Sequence, residues 1–362
     1  MFTPMEPTTL PPEPVMMEAF LGGDASFDGI FVTAVRTTGI FCRPSCPARK
    51  PLPENVAFFG TPEDALLEGY RPCLRCRPMQ DPGTAPGWVE ALLAAVDADP
   101  TRRWTDADLR SRGLSPERVR RWFKRAHGMT FHAYSRARRL GTALGSMRNG
   151  SGVSRAAFET GFDSLSGFNE AFRRYFGDSP SEIAHRTLVR VDRITTPLGP
   201  MLTGVTDEAL CLLEFVDRRA LQAQVRRVSR RLDAAFVPGR TPVTEAVERQ
   251  VAEYFQGARR TFDLPLALAG TPFQTTVWKA LRAIPWGETR SYGEVATAIG
   301  RPDAVRAVGK ANGDNALAIV IPCHRVVGAD GRLVGYGGKV WRKRRLLGLE
   351  GAALDGIREA RA

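Results

Sequence analysis

Two close pairs of cysteines restrict what the first part of this chain can fold into more than any other feature. Cys42 and Cys46 stand in Cys-x3-Cys spacing, residues 47 to 72 intervene, and Cys73 and Cys76 follow in Cys-x2-Cys spacing. Each pair on a tight turn aims two sulfurs at one point. Two such turns complete a tetrahedral four-sulfur shell, the arrangement zinc prefers. Six cysteines in 362 residues, four of them so paired, suit a metal site or catalysis in a reducing compartment better than a disulfide framework. A closed shell of this kind is ordinarily structural, and composition gives no reason to read it otherwise. Upstream, Phe31 to Val35 alternates as a strand does.

A second stretch carries a different sulfur. Ile319-Val320-Ile321 reads as a buried strand that Pro322 stops, and Cys323-His324-Arg325 follows. The thiolate is the nucleophilic form, and it needs a nearby base or positive charge. Adjacent side chains on extended backbone point opposite ways, so Cys323 and His324 pair only if the chain turns, which Pro322 allows. A buried structural cysteine beside a surface histidine fits the same residues equally well.

Between these stretches the chain is basic. The net charge is +12 and the pI about 9.9, which suits a polyanionic partner, although ribosomal or membrane-surface binding would explain the charge too. Asp81 to Gly87 is a turn-rich linker. Arg102 to Arg139 then holds twelve Lys/Arg against three acids. Ser115-Pro116 starts a helix that ends at Gly128. Leu114, Val119, Phe123 and Ala126 form its apolar face, and Arg118, Arg121 and Arg125 form another. With the Arg112-Gly113 turn before it, this fits the second helix of a helix-turn-helix. A second copy runs through Ala157–Ser164 into Leu165–Phe176, where Phe168, Phe172 and Phe176 recur every fourth residue as core. An ordinary basic helical bundle is the alternative. Farther on, Arg190 to Phe215 reads as strands, Cys211 as an inert buried thiol, and Arg218 to Arg231 as a solvated helix face without obvious chemistry. No signal peptide and no membrane span are legible, so cytoplasm is the expected compartment and no membrane a partner.

Pro322-Cys323-His324-Arg325-Val326 resembles the active-site signature of the DNA–protein-cysteine O6-alkylguanine methyltransferases. Val32 to Cys46 resembles, nearly residue for residue, the N-terminal domain of the two-headed Ada family. The helical region resembles the AraC-type paired helix-turn-helix, including Gly161-Phe162, Ser164, Phe168 and Gly177-Asp178-Ser179-Pro180. The resemblance implies a multidomain α+β chain: a small four-cysteine zinc domain at 15–82, an all-α AraC-type double helix-turn-helix at 86–185, an α/β cap at 188–268, and a helical, winged-helix-like methyltransferase domain at 270–355. It implies that Cys323 takes methyl groups from O6-methylguanine and O4-methylthymine. His324 would be the base, Glu350 its orienter, Asn315 the fixer of the turn, and Tyr292 the aid to nucleotide extrusion and donor to the departing oxygen. Arg306 would insert into the minor groove, and Tyr336 would line the base pocket. It also implies that Cys42 is both a ligand, with Cys46, Cys73 and Cys76, of one Zn2+ and an acceptor from backbone methylphosphotriesters, switching the protein into a transcriptional activator. Arg36, Arg43, Arg71 and Arg75 are candidate phosphate contacts, and Arg118, Arg121, Asn169 and Arg173 candidate base readers. Partners would be alkylated and promoter double-stranded DNA and RNA polymerase, with the chain a monomer. Two other readings stand beside this one: a DNA-binding regulator with purely structural zinc, and a Cys-His-Glu acyl hydrolase.

Overall fold

The computed structural model describes residues 10–24, 27–79 and 86–352. Most of the proline-rich start and the Asp81–Ala85 part of the linker lie outside the described residues, as does the end of the last expected domain.

Helix α1 (Glu13–Gly22) follows Pro12 and stops at Gly23, whose φ of 64° is left-handed. Strands β1 (Val32–Val35), β2 (Ile40–Cys42), β3 (Val56–Phe59) and β4 (Arg71–Pro72) form one sheet in the order β3-β1-β2-β4. Helix α2 (Pro62–Leu67) covers it, started by a reciprocal Thr61–Asp64 capping box. The expected alternation of β1 fails in burial, because all four of its residues are buried. Val32 and Ala34 pack with Phe41 and Ala65, while Phe31 just before them joins the core of the C-terminal half.

Seven helices follow: α3 (Gly87–Ala98), α4 (Asp106–Ser111), α5 (Pro116–His127), α6 (Phe131–Arg148), α7 (Val153–Glu159), α8 (Leu165–Phe176) and α9 (Pro180–Ile183). Ser115 caps α5, with Pro116 in its first turn and left-handed Gly128 at its end. Pairs α4–α5 and α7–α8 are the two expected helix-turn-helix units; the side chains of Arg125 and Ala126 lie outside those described. Phe168 and Phe172 are fully buried with their rings tilted and 5.4 Å apart, and Phe176 lies 4.5 Å beyond. The long α6 joins the two units and also leaves them. Its Leu140, Ala143 and Leu144 pack with Leu188, Ala235 and Val237 of the next sheet.

That sheet contains β5 (Thr187–Ile194), β6 (Met201–Val205), β7 (Leu210–Phe215) and β8 (Ala234–Pro238) in the order β7-β6-β5-β8, with β8 parallel to β5 after the crossover helix α10 (Leu221–Leu232). Helix α11 (Pro242–Phe255) leads to α12 (Pro272–Arg282), β9 (Arg290–Ser291), α13 (Tyr292–Ala298), α14 (Val305–Gly313), β10 (Val326–Val327) and α15 (Val340–Leu349). Among the described residues no helix is long and apolar enough to cross a membrane.

Ile319-Val320-Ile321 is buried as expected but is not a strand. Ile319 has φ 71°, and the segment turns tightly after a single bridge between Leu317 and Leu213. Asn315 imposes the turns: its side chain accepts from Leu317 N at 2.9 Å and donates to Ile321 O at 2.9 Å, so these backbone groups are satisfied without a neighbouring strand.

Candidate functional site

The turn that Asn315 builds delivers Pro322 into a 3-10 turn over Cys323–Arg325. The same Asn315 amide donates to Cys323 Sγ at 3.1 Å. His324 does not contact the thiol. Its Nε2 lies 2.9 Å from Glu350 Oε1, and its Nδ1 is buried with no protein partner. Glu350 also accepts from Arg325 Nε (2.8 Å) and Nη2 (2.9 Å) and from Tyr254 Oη (2.7 Å). Although burial alone would raise it, hydrogen bonds from His324 and Arg325 hold the Glu350 carboxyl at about 2. Burial lowers His324 despite its bond to Glu350, so the imidazole is neutral at neutral pH. Burial raises the Cys323 thiol, and the Asn315 bond pulls it back.

Cys323 opens on a cavity of about 280 Å3. Tyr292, Tyr336, Asn312 and the glycines from Gly335 to Gly338 line it, together with Glu214 and Arg218. The glycines make room: a Cβ on Gly337 would stand 2.5 Å from Arg218 Cζ, and one on Gly338 would stand 2.8 Å from the Phe215 ring. Arg306, in the first turn of α14, is exposed and outside the lining.

Glu214 and Arg218 correct the expectation of a chemically empty cap and a merely solvated arginine face. Glu214 is fully buried and ion-paired with Arg218. Arg218 also donates to Gly313 O at 2.6 Å and Asn315 O at 3.2 Å, while Arg227 pairs with Asp314 at 2.7 Å. These arginines therefore brace the loop that carries Asn315. Arg325, Tyr254, Asn312, Glu214 and Arg218 were missed by sequence reasoning. Arg325 alone offered a signal, because it sits inside the Pro322–Val326 motif. Cys211 is buried, donates to Gly204 O at 3.2 Å and is pushed up to about 12 by burial, as an inert thiol should be.

At the other end, Cys42, Cys46, Cys73 and Cys76 bring their sulfurs within 4.8 Å of one another. Sulfurs about 2.3 Å from a shared centre fall within that spread, so the donor set fits one tetrahedral zinc. Hydrogen bonds from Cys42 and Cys76 pull the Cys46 thiol down, and bonding to Cys46 drives Cys42 up. Crowded thiols cannot all ionise without a cation among them. Arg43 N donates to Cys76 Sγ at 3.4 Å and Arg43 Nη2 to Arg77 O at 3.0 Å, so this arginine spans both turns. Asp28 accepts from Ser45 N (3.0 Å) and Oγ (2.5 Å), tying the first turn to the segment after α1.

Of the candidate base readers, Arg118 and Arg121 are exposed on α5, with Arg118 4.9 Å from the Trp88 ring. Arg173 is exposed and Asn169 half-buried on α8.

Three family models match: the metal binding domain of Ada over residues 15–79, a helix-turn-helix domain over 110–186, and the DNA binding domain of 6-O-methylguanine DNA methyltransferase over 272–352. The chain is 37% identical over 338 residues to the bifunctional transcriptional activator/DNA repair enzyme Ada of Escherichia coli, covering 91% of this chain and 94% of that protein. It is 55% identical over 163 residues to the methylated-DNA–protein-cysteine methyltransferase of Mycobacterium tuberculosis, 45% of this chain and 93% of that one. The crystal structure of M. tuberculosis OGT in complex with DNA matches with 44% identity, 45% of this chain, 92% of that chain and a TM-score of 0.39. A four-thiol metal domain, a paired helix-turn-helix reader and a methyltransferase-type thiol site on one chain define a multidomain DNA-acting protein. The chain belongs to the Ada family of bifunctional transcriptional activators and DNA repair enzymes.

Proposed function

We propose that the protein repairs alkylated DNA by irreversible methyl transfer to two of its own cysteines, and that methylation of one of them turns it into a transcriptional activator. The observation that carries the reading is the buried Asn315–Cys323 contact at the mouth of a base-sized cavity, beside the His324–Glu350 pair.

The target atom of O6-methylguanine is stacked inside the duplex, so the base must be extruded to reach Cys323. Arg306 fills the vacated space in the minor groove, and Tyr292 and Tyr336 receive the base. His324 Nδ1, neutral and free of protein partners, takes the thiol proton through a water. Glu350, itself fixed by Arg325, orients the ring, and its carboxylate balances the positive charge the imidazole gains. Cys323 Sγ then attacks the methyl carbon in line. The S–C bond forms, the C–O bond breaks, and the electron pair leaves on the base, where Tyr292 supplies a proton to the departing oxygen. The product is a thioether, which unlike a thioester does not react with water, so each site works once. O4-methylthymine enters the same route.

Cys42, Cys46, Cys73 and Cys76 hold one zinc, which when bound keeps the sulfurs as thiolates at neutral pH. Cys42 takes a methyl from a phosphotriester: the S–C bond forms, the C–O bond breaks, and the phosphodiester leaves as an anion. A thiolate becomes a neutral thioether, so one negative charge disappears beside Arg43 and repulsion of the DNA phosphates falls. The damage itself thus raises affinity for promoter DNA. There, Arg118 and Arg121 of α5 and Asn169 and Arg173 of α8 read bases in the major groove. RNA polymerase is the partner of the activated form, and the protein acts as a cytoplasmic, nucleoid-associated monomer.

DNA carrying a labelled methyl on guanine O6 or on phosphate tests the reading. The label is expected on Cys323 from the first substrate and on Cys42 from the second. No label would favour a regulator with structural zinc, and a label that is later lost would favour a hydrolase.

A further inference from the structure

The cavity beside Cys323 holds polar atoms that methyl transfer leaves unused. Arg218 Nε and Asn312 Oδ1 are buried without a hydrogen-bond partner, and both residues line the cavity. Buried polar groups without partners are rare and costly enough to need an explanation. Neither side chain is loose. Arg218 is held by its pair with Glu214 and by the carbonyls of Gly313 and Asn315. Glu214 in turn accepts from Phe215 N at 3.0 Å. Asn312 Nδ2 faces Cys323 O at 3.4 Å, which leaves Oδ1 as the free atom of its amide. Beside the Tyr336 hydroxyl, which is also buried without a partner and can donate or accept, the cavity therefore offers one N–H that can only donate and one amide oxygen that can only accept.

The two lesions differ in what they can offer in return. O6-methylguanine keeps ring acceptors and an amino group at C2. O4-methylthymine has acceptors but no N–H on its ring. A free donor suits both bases, whereas a free acceptor suits only the purine and faces an unpaired oxygen or nitrogen with the pyrimidine. We propose that Arg218 Nε–H and Asn312 Oδ1 form a base-reading pair, through which the cavity selects the purine lesion by its 2-amino group. This rests on Cys323 being the methyl acceptor. It makes the cap, through Arg218, a contributor to substrate selection.

The test is a cycle of four methyl-transfer rates, measured on the full zinc-loaded protein with duplex DNA. The parent and Asn312→Leu each react with O6-methylguanine and with O6-methylhypoxanthine, which lacks only the 2-amino group. Each rate is divided by that of Cys323 alkylation by iodomethane, which needs no base. In the parent, removal of the amino group is expected to slow transfer about tenfold, as one lost hydrogen bond in a buried site does. In Asn312→Leu the same removal should change little, and the preference for O6-methylguanine over O4-methylthymine should fall by a similar factor. Asn312→Asp keeps an acceptor without the amide donor, so it should retain the preference for the amino group. An equal amino-group effect in the parent and Asn312→Leu would overturn the proposal, and so would loss of the preference in Asn312→Asp. Iodomethane alkylation of Cys323 without any transfer from O6-methylguanine in the parent would instead overturn the reading of Cys323 as acceptor.

Discussion

Glu350 is 3% exposed and accepts hydrogen bonds from His324, Arg325 and Tyr254. Its folded value near 2 lies below the ordinary 4.5, so the stability it contributes is present above pH 4.5 and is lost as pH falls from there toward 2. A shift of that size is worth roughly 3 kcal/mol. Denaturant unfolding at pH 7 and pH 3 should therefore show a larger loss in the parent than in Glu350→Gln, which keeps only the contribution of the other depressed carboxylates such as Asp108 and Asp217. The variant should already be weaker at pH 7 by about 3 kcal/mol, because Arg325 is left buried without its counter-charge. Equal pH dependence in both proteins would show that the carboxylate is not held as described. Cys323 behaves in the opposite sense. Burial raises it above the ordinary 9.0, and only the thiolate attacks, so alkylation of the DNA-free protein by iodomethane should still be rising at pH 9. Asn315→Ala removes the one bond that pulls the thiol down and should move the curve to higher pH; a plateau near neutrality would contradict this. The residues of this site were legible to different degrees. Cys323 and His324 stand in the motif, Asn315, Tyr292, Tyr336 and Glu350 follow from the family resemblance, and the fold gathers all six about Cys323 and the His324–Glu350 pair. Tyr254 and Arg218 carry no such mark, because a tyrosine 96 positions from its carboxylate partner and an arginine 97 positions from its carbonyl leave no local pattern.

Helix α5 could be drawn from its ends alone, since Ser115, Pro116 and Gly128 each do locally what their types prefer. Ile319-Val320-Ile321 could not. Three β-branched residues favour a strand, but the Asn315 side chain overrides them by taking over their backbone hydrogen bonds and holding Ile319 at positive φ. Helix α6 does more than join the two helix pairs. Its Gly141 faces β8 so closely that a Cβ would stand 3.0 to 3.1 Å from three Val237 side-chain atoms. Gly141→Val should push α6 off the sheet and cost about 1–3 kcal/mol by overpacking, read as a lower thermal midpoint; an unchanged midpoint would mean that the contact is slack. On α5, Arg118→Ala and Arg121→Ala should each lower the salt slope of promoter binding by about 0.9 if each contacts one phosphate, and should change base preference without changing the slope if each reads a base.

The halves of the molecule share a core. Met16, Ala19, Phe27 and Phe31 from the metal-binding end pack in one cluster with Phe215, Trp341 and Tyr254 of the methyltransferase half, and the Phe27 and Trp341 rings lie 5.2 Å apart. Asp28, next to Phe27, grips Ser45 between two of the metal-binding cysteines. Removing zinc should therefore loosen more than residues 15–79: chelation should expose Trp341 and lower the thermal midpoint of the methyltransferase half, read by fluorescence and calorimetry. An unaffected C-terminal transition would show that the two ends are independent. The domain order was legible because each segment carries its own composition, whereas the contacts between segments were not, because apolar residues at such an interface look like any other core. The central claim is that two sulfurs each accept one methyl from damaged DNA and never release it. The most direct measurement is a count of methyl groups per protein when a large excess of DNA bearing both lesions is supplied. The count should stop at two, one on Cys323 and one on Cys42, and at one in either Cys→Ala variant. Continued removal of lesions beyond two per molecule, or full repair by the variant lacking both cysteines, would contradict it.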